Sequence, residues 1–308
     1  MSNLTDKIID STKLSCYQDC ERKYFYRHIL HWAPESPNIH LEFGVAWHLA
    51  KEHLLLSDYS AESVEKAYSL FLEHYRLHFA PDTDRQYSPK DPEHALAALT
   101  SYAEARRKSK SYKVHLTEVA GQVGVTHDYS LVFKIDAVIE DRVGLWVLDH
   151  KTASRLASAW VDSWQLNLQM GTYVHALRSY NPKDTVIGAI VEATIFRQKD
   201  HEHISIPVRK SEDAMNSWYW TVSQRLALLD WNYEALAEAK DSDAVLTAFP
   251  QNFGSCTNYN QRCPYFDFCC AWANPLQHCE KPPIGYTSQE WNPLDVVRTA
   301  RTTWGVEK

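Results

Sequence analysis

Nowhere does this sequence reach the roughly 18 consecutive apolar residues that a membrane-spanning helix requires. The opening stretch, Met1 to Asp10, carries acids and lacks an apolar core, so it does not read as a secretory signal. Together these point to a reducing, cytoplasmic setting. Internal repeats and low-complexity tracts are also missing. Positive charge is in deficit: the net charge of −7 argues against a broad, non-specific nucleic-acid coat, although it leaves room for a narrow basic cleft. No cysteine lies between Cys20 and Cys256, and the total of seven is odd, which argues against a disulfide framework. What remains is a 308-residue chain of ordinary apolar content, 44%, long enough for one large domain or two modest ones. The 11 Trp and 17 Tyr are a heavy aromatic load, read mainly as packing, with stacking on bases or sugars as the alternative.

Periodicity orders the chain. Ser11 or Thr12 is placed to cap a helix running to about Leu30, with Cys16 and Cys20 one turn apart on a shared face. A second helix carries Phe43, Ala46, Trp47, Ala50 and Leu54 as its apolar stripe, with Gly44 and His48 on a neighbouring face. Further helices are predicted over about Ala61–Phe79 and Pro92–Lys108. Strand patterns then cluster as a meander: Val114–Val123, Tyr129–Glu140, a tight turn through Asp141–Gly144, and Leu145–Lys151. A helix over about Ser158–Ser179 follows, with Leu166, Met170, Val174 and Leu177 as its buried stripe. Gln165, Gln169 and Tyr173 form a polar stripe on it at four-residue spacing. Strands at Thr185–Phe196 and His203–Val208 and a helix over Ser211–Ala239 precede a cysteine-, proline- and aromatic-rich tail with little periodicity.

The candidate chemistry centres on Asp136, Asp149 and Lys151. An apolar run from Leu145 delivers Asp149, and two residues later Lys151, onto the same face of a strand. Two carboxylates on adjacent strands can converge on a hard divalent cation such as Mg²⁺ or Mn²⁺, and the carbonyl of His150 can add a ligand. Lys151 would then orient a water and offset developing negative charge. The plainer reading of the same residues is an ion pair at a strand end. For His48 the plainer reading is a satisfied or exposed helix histidine, and for Gln165, Gln169 and Tyr173 a polar helix face. Amides and a phenol on one face can also bond a phosphate backbone and the neighbouring base.

The order of these motifs is more specific than any one of them. Phe-Gly-Val-Ala-Trp-His ending at His48, Lys-Ile-Asp ending at Asp136, Asp-His-Lys-Thr at 149–152 and Gln-Met-Gly-Thr-Tyr at 169–173 follow one another. In that order, from about Ser11 to Cys269, the chain resembles the PD-(D/E)xK nucleases, and within them the RecB-like exonuclease branch. The opening Leu-Ser-Cys-Tyr-Gln-Asp-Cys-Glu-Arg-Lys-Tyr-Phe-Tyr looks like that branch's first helix, with Glu21 where a proline is common. The resemblance implies an α/β fold with a restriction-endonuclease-like core, its mixed central sheet flanked by helices. It makes His48, Asp136 and Asp149 metal ligands and Lys151 the catalytic lysine. Gln165, Gln169, Tyr173 and Arg22 become DNA contacts, and Glu118 sits where members often carry an acid in the first strand.

The cysteines read further in that light. Cys256, Cys263 and Cys269 are three thiols in a loop-rich tail, and Cys20 can supply a fourth. This is similar to the iron–sulfur nucleases of AddB type and of CRISPR adaptation, which pair one early cysteine with three late ones around a [4Fe–4S] cluster. The gap from Cys256 to Cys263 is longer than usual there, so Cys16, Cys270 and Cys279 stand in reserve, and Zn²⁺ is the competing metal. The expected organisation is a single nuclease domain over 1–308: a helical part (11–112), a catalytic core (113–210), a helix with a cysteine clasp (211–279) and a tail (280–308). The resemblance implies a metal-dependent DNA exonuclease in recombination, repair or phage DNA processing, in a bacterial cell or phage-infected host, with a recombination or annealing protein as a candidate partner. A non-cleaving nucleic-acid-binding subunit on the same fold is the alternative.

Overall fold

Asp10 closes a two-residue strand, β1 (Ile9–Asp10), and its carboxylate accepts the Lys13 N–H at 2.7 Å, capping α1 (Ser11–Asp19). The cap therefore falls just before the serine and threonine expected to supply it. Pairing of β1 holds Asp10 extended, with its side chain over the first turn. These coordinates are a computed structural model that describes residues 8–109, 112–258 and 261–305. Residues 1–7, on which part of the N-terminal reading rests, and 306–308 of the tail lie outside the described residues.

The first helix does not run unbroken to Leu30. Cys20 is extended (φ −165°, ψ 116°), and the chain restarts as α2 (Glu21–Tyr24), followed by a π-helical turn at Phe25–Ile29. Tertiary bonds stabilise the break: Arg22 N–H donates to Pro250 O at 3.1 Å, and Asn252 N–H donates to Cys20 Sγ at 3.4 Å. After β2 (Trp32–Pro34) come α3 (Ile39–Leu55), α4 (Ala61–Arg76), a short α5 (Asp84–Tyr87) and α6 (Pro92–Lys108). Asn38, Ser60 and Asp91 cap α3, α4 and α6 through their side chains. The stripe expected on α3 is fully buried and packs with Phe71, Tyr75, Ala95 and Leu99 of α4 and α6.

The strands follow: β3 (Lys113–Gly124), β4 (Ser130–Glu140) and β5 (Leu145–Ala153). Asp141 Oδ1 accepts from the N–H groups of Val143 and Gly144, making the turn between β4 and β5. Gly144 is required there: its φ is +146°, and a Cβ would sit 2.3 Å from the Thr185 carbonyl oxygen. The helix expected over Ser158–Ser179 is two helices, α7 (Ser158–Ser163) and α8 (Leu168–Tyr180). Asn167 breaks it with an extended backbone and caps α8 by accepting the Met170 N–H at 3.2 Å. The break shifts the helical phase. Leu166, expected in the buried stripe, is 91% exposed, whereas Met170, Val174 and Leu177 are buried. The chain ends with β6 (Val186–Phe196), β7 (His201–Arg209), α9 (Glu212–Glu238), α10 (Phe266–Ala271), β8 (Tyr286–Ser288), α11 (Asp295–Thr299) and β9 (Thr302–Trp304).

Seven strands form one mixed sheet in the order β7-β6-β5-β4-β3-β9, with β1 added beside β4. β5 and β6 are parallel, joined through α7 and α8, while β4/β5 and β6/β7 are antiparallel. This is the α/β fold expected of a restriction-endonuclease-like core. Packing sorts the chain into two units, each drawn from separated stretches. One takes the chain up to Ser36, Gly124–Val132 and Asn216–Asp295; the other takes Pro37–Val123, Phe133–Met215 and the chain from Val296. In the first, buried aromatics stack, Tyr24 on Phe249 and Tyr26 on Trp32 and Tyr265, and half-buried Phe268 stacks on Trp272, while Trp220, Trp231 and Phe253 are exposed.

Candidate functional site

The ladder between β4 and β5 runs from Glu140↔Leu145 to Ala137↔Leu148 and stops. One more step would set Asp136 opposite Asp149. Instead, Asp136 Oδ2 accepts the His150 N–H at 2.7 Å, taking the donor that would have continued the pairing. On its other side β5 stays paired with β6 through Ala153↔Ile195. The sheet thus forks at the two aspartates.

Helix α3 supplies the third group. His48 Nδ1 lies 3.1 Å from Asp136 Oδ1. One turn earlier, a Cβ on Gly44 would meet nothing within 4 Å, so that face of the helix is open. Lys151 follows Asp149 on the same strand face, its Nζ 2.9 Å from Oδ1 and 2.7 Å from Oδ2. Its ammonium also lies 5.8 Å from the centre of the buried Trp164 ring.

Burial opposes charge on all three acid and imidazole groups. At Asp136 it is outweighed by His48, with help from His150 and Lys151, and the carboxyl is held well below the usual range. At Asp149 it is not outweighed: burial, reinforced by Asp136, exceeds the pull of Lys151 and raises the carboxyl above its ordinary value. His48 is lifted above its ordinary value, because Asp136 overcomes the effect of burial.

The donor set suits a hard cation. Asp149 Oδ2 is buried and its close partner is the Lys151 ammonium, 2.7 Å away, so a shift of that ammonium would free a carboxylate oxygen for a cation. Asp136 Oδ1 and His48 Nδ1, 3.1 Å apart, are close to the edge length of about 3.0 Å in an octahedron with bonds of about 2.1 Å. Asp149 is turned onto Lys151. Among the described residues, the donors of His48, Asp136 and Asp149 do not all fall within 4.8 Å of one another. Two carboxylates, an imidazole and an amine where two central strands part match the chemistry of phosphodiester hydrolysis. The family model for the PD-(D/E)XK nuclease superfamily matches residues 11–270. The chain belongs to that superfamily. No curated protein is a significant match to it.

PD-(D/E)XK nucleases typically use Mg²⁺ or Mn²⁺. In this nuclease, the remaining expected residues fall into four places. Gln169 and Tyr173 are joined, the amide donating to the phenol oxygen at 2.9 Å. Gln165 precedes the Asn167 break, so it leaves their stripe, and its amide donates to Pro207 O at 3.0 Å. Glu118 takes a left-handed backbone (φ +48°) and pairs with Lys134. Arg22 is drawn inside: it is 3% exposed, and its guanidinium donates to the carbonyls of Phe249 and Leu246 at 2.8 and 2.9 Å. It anchors the tail, and its guanidinium is not presented to a DNA phosphate.

The cysteines separate clearly. Cys20, Cys256, Cys263 and Cys269 all line one cavity of about 190 Å³. Cys16 does not line it and is buried, its thiol pushed up to about 12 by burial. Cys270 is exposed, and Cys279 Sγ donates to Pro275 O at 3.0 Å.

Sequence reasoning missed a second polar layer behind the fork. The ammonium of Lys51, one turn beyond Trp47 on α3, is 3.3 Å from Glu192 Oε2 on β6. The phenols of Tyr102 and Tyr112 donate to the same carboxylate at 2.8 and 3.0 Å. The buried ring of His150 packs 3.4 Å from it, and burial lowers that imidazole to about 3, so it is neutral. The available signal was a lone charge on each of two apolar stripes, Phe43–Trp47–Lys51 and Val186–Phe196. The pair is strongly polarised. Burial lowers Lys51 to about 7. Burial also opposes charge on Glu192, but Lys51, with His150 and Tyr102, outweighs it and brings the carboxyl from 4.5 to about 2. A carboxyl depressed on folding stabilises above its unfolded value, and that stability is lost as pH falls from about 4.5 towards 2. Glu192→Gln is expected to flatten the acid limb in that window and, by orphaning Lys51 at neutral pH, to cost on the order of 3 kcal/mol. Urea titrations across a pH series measure both; an unchanged acid limb refutes the assignment.

Proposed function

We propose that this superfamily member is a metal-dependent deoxyribonuclease of the RecB-like branch that degrades DNA from its ends. Its setting would be recombination, repair or phage DNA processing in a bacterial or phage-infected cytoplasm. The observation that carries this reading is the fork between two central strands, where His48 of α3 contacts Asp136 and Lys151 contacts Asp149. Asp136, Asp149 and His48, with the His150 carbonyl, would hold Mg²⁺ or Mn²⁺. When bound, such an ion supplies Lewis-acid stabilisation of the phosphate and acidifies water. Lys151 exchanges its contact with Asp149 for the attacking water and stabilises charge building on the phosphorus oxygens. The Trp164 ring lies beside its ammonium, 5.8 Å from ring centre to nitrogen. Gln169 and Tyr173, pre-paired, present donors to the DNA backbone.

Four thiols around one cavity support a thiolate-held metal group, which we take as a [4Fe–4S] cluster on the family resemblance, with Zn²⁺ as the competing metal.

End-labelled linear duplex, linear single strand and a covalently closed circle, each with Mn²⁺ or Mg²⁺, test the function. Loss of label from linear DNA with the circle intact is expected. Cutting of the circle at the same rate would replace end-dependent action with endonuclease action. Tight DNA binding without any cleavage would favour a non-cleaving subunit.

A further inference from the structure

Away from the fork, three more side chains converge. Glu42 lies in the first turn of α3, His74 in the last turn of α4, and His78 one turn beyond His74. Glu42 Oε2 is 3.1 Å from His74 Nε2 and 3.2 Å from His78 Nε2. Each of the three offers a donor atom within 4.8 Å of the other two, and no other group of histidine, cysteine or acid side chains among the described residues does so. We propose that Glu42, His74 and His78 form a site for a borderline transition-metal cation of the Zn²⁺ class, clamping α3 to α4.

Four physical points support the assignment. The first is donor spacing. Bonds of about 2.0–2.2 Å in a tetrahedron place ligand atoms about 3.3–3.6 Å apart, close to the two observed separations. The second is donor type: two imidazoles with one carboxylate select Zn²⁺, Co²⁺ or Ni²⁺ over Mg²⁺, which prefers oxygen. The third is preorganisation. Phe43, next to Glu42, meets Phe71 and Tyr75, which flank His74, with ring centres 5.2 and 6.4 Å apart. Those rings are fully buried, so the backbones carrying the ligands are held by the core. The fourth is field: both imidazoles lie at the C-terminal end of α4, whose negative dipole end, with the Glu42 carboxylate, offsets the positive N-terminal end of α3. The three side chains are 18%, 20% and 32% exposed, so an ion can enter and a fourth position remains open to water.

This site shares no residue with the fork or the cysteine cavity. It makes the helix that carries His48 sensitive to a second metal, and the clamp stands whether or not the nuclease reading holds.

The test uses the full chain, purified anaerobically, with Mg²⁺ present to occupy oxygen sites. Zn²⁺ equivalents retained after desalting and the thermal midpoint are measured for wild type, for His74→Gln/His78→Gln and for Glu42→Gln. Wild type should retain one more equivalent than the double variant. Its midpoint should rise by about 4 °C at a hundredfold excess over the dissociation constant. The double variant should lose both effects and melt like metal-free wild type. Glu42→Gln, which leaves both imidazoles in place, should keep the fold and bind more weakly. Equal zinc retention and equal midpoint shifts in wild type and double variant overturn the proposal. Co²⁺ gives a second readout: visible d–d bands without the near-ultraviolet thiolate charge-transfer bands are expected, and their persistence in the double variant also overturns it.

Discussion

Replacing Lys151 with alanine is expected to lower DNA cleavage by about 10²–10³-fold, the usual cost of removing one group aimed at developing negative charge. The fold should persist with a modestly lower thermal midpoint, because the buried Asp149 carboxyl loses its ammonium partner. The lysine is only partly buried and its stem leans towards Trp164, so its loss opens no core cavity. The sharper form of the experiment adds Asp149→Asn. Asp149 is 1% exposed, is paired only with the Lys151 ammonium, and faces a second buried carboxylate. A neutral amide of the same shape removes that repulsion, so this variant should lose cleavage yet melt at or above the wild-type midpoint. Such a gain is the signature of a site whose local instability is retained for chemistry. A Lys151→Ala protein that cleaves at the wild-type rate would remove the lysine from the mechanism. An Asp149→Asn protein that unfolds would instead make the pair a structural ion pair.

The second large effect belongs to the cysteine cavity. Cys20→Ser is expected to abolish the brown colour of an anaerobic preparation and to lower the midpoint by about 10 °C, because a structural metal contributes several kcal/mol directly to folding. Cys20 sits at the break between α1 and α2, where its sulfur accepts the Asn252 N–H. Cys263 N–H donates to Cys256 O at 2.8 Å, so the tail loop closes on itself around the same cavity. Burial raises the Cys256, Cys263 and Cys269 thiols, the last to about 12, so without a cation they stay protonated and add no mutual attraction. Limited proteolysis should then cut first between 250 and 280. Cys270→Ser, at an exposed position, is the control and should match wild type. A Cys20→Ser protein that keeps its metal and midpoint would remove Cys20 from the ligand set. A colourless wild type with stoichiometric zinc would keep the clasp and remove the iron.

Local pattern carried much of this protein. The α3 stripe, the β4–turn–β5 unit and the placement of Asp149 and Lys151 on one strand face follow from periods of 3.6 and 2, which need only neighbours in sequence. The order His48, Asp136, Asp149, Lys151, Gln169, Tyr173 was legible through its resemblance to the PD-(D/E)XK nucleases; period alone left each residue with a plainer reading. Folding alone decided what depends on residues far apart. Asn167 and Cys20 break helices that propensity would continue, since capping and tertiary hydrogen bonds offset the lost helical bonds. Arg22 was expected as a DNA contact, but the carbonyls of Phe249 and Leu246, more than 200 residues away, take its guanidinium. Lys51 and Glu192 were isolated charges on apolar stripes until α3 met β6, 141 residues apart in sequence. The fork itself has the same origin. Sequence determined that two aspartates stand on neighbouring strands; only the fold decided that Asp136 would take the His150 N–H and part the strands beside them, because a buried carboxylate must be hydrogen-bonded and that donor was within reach.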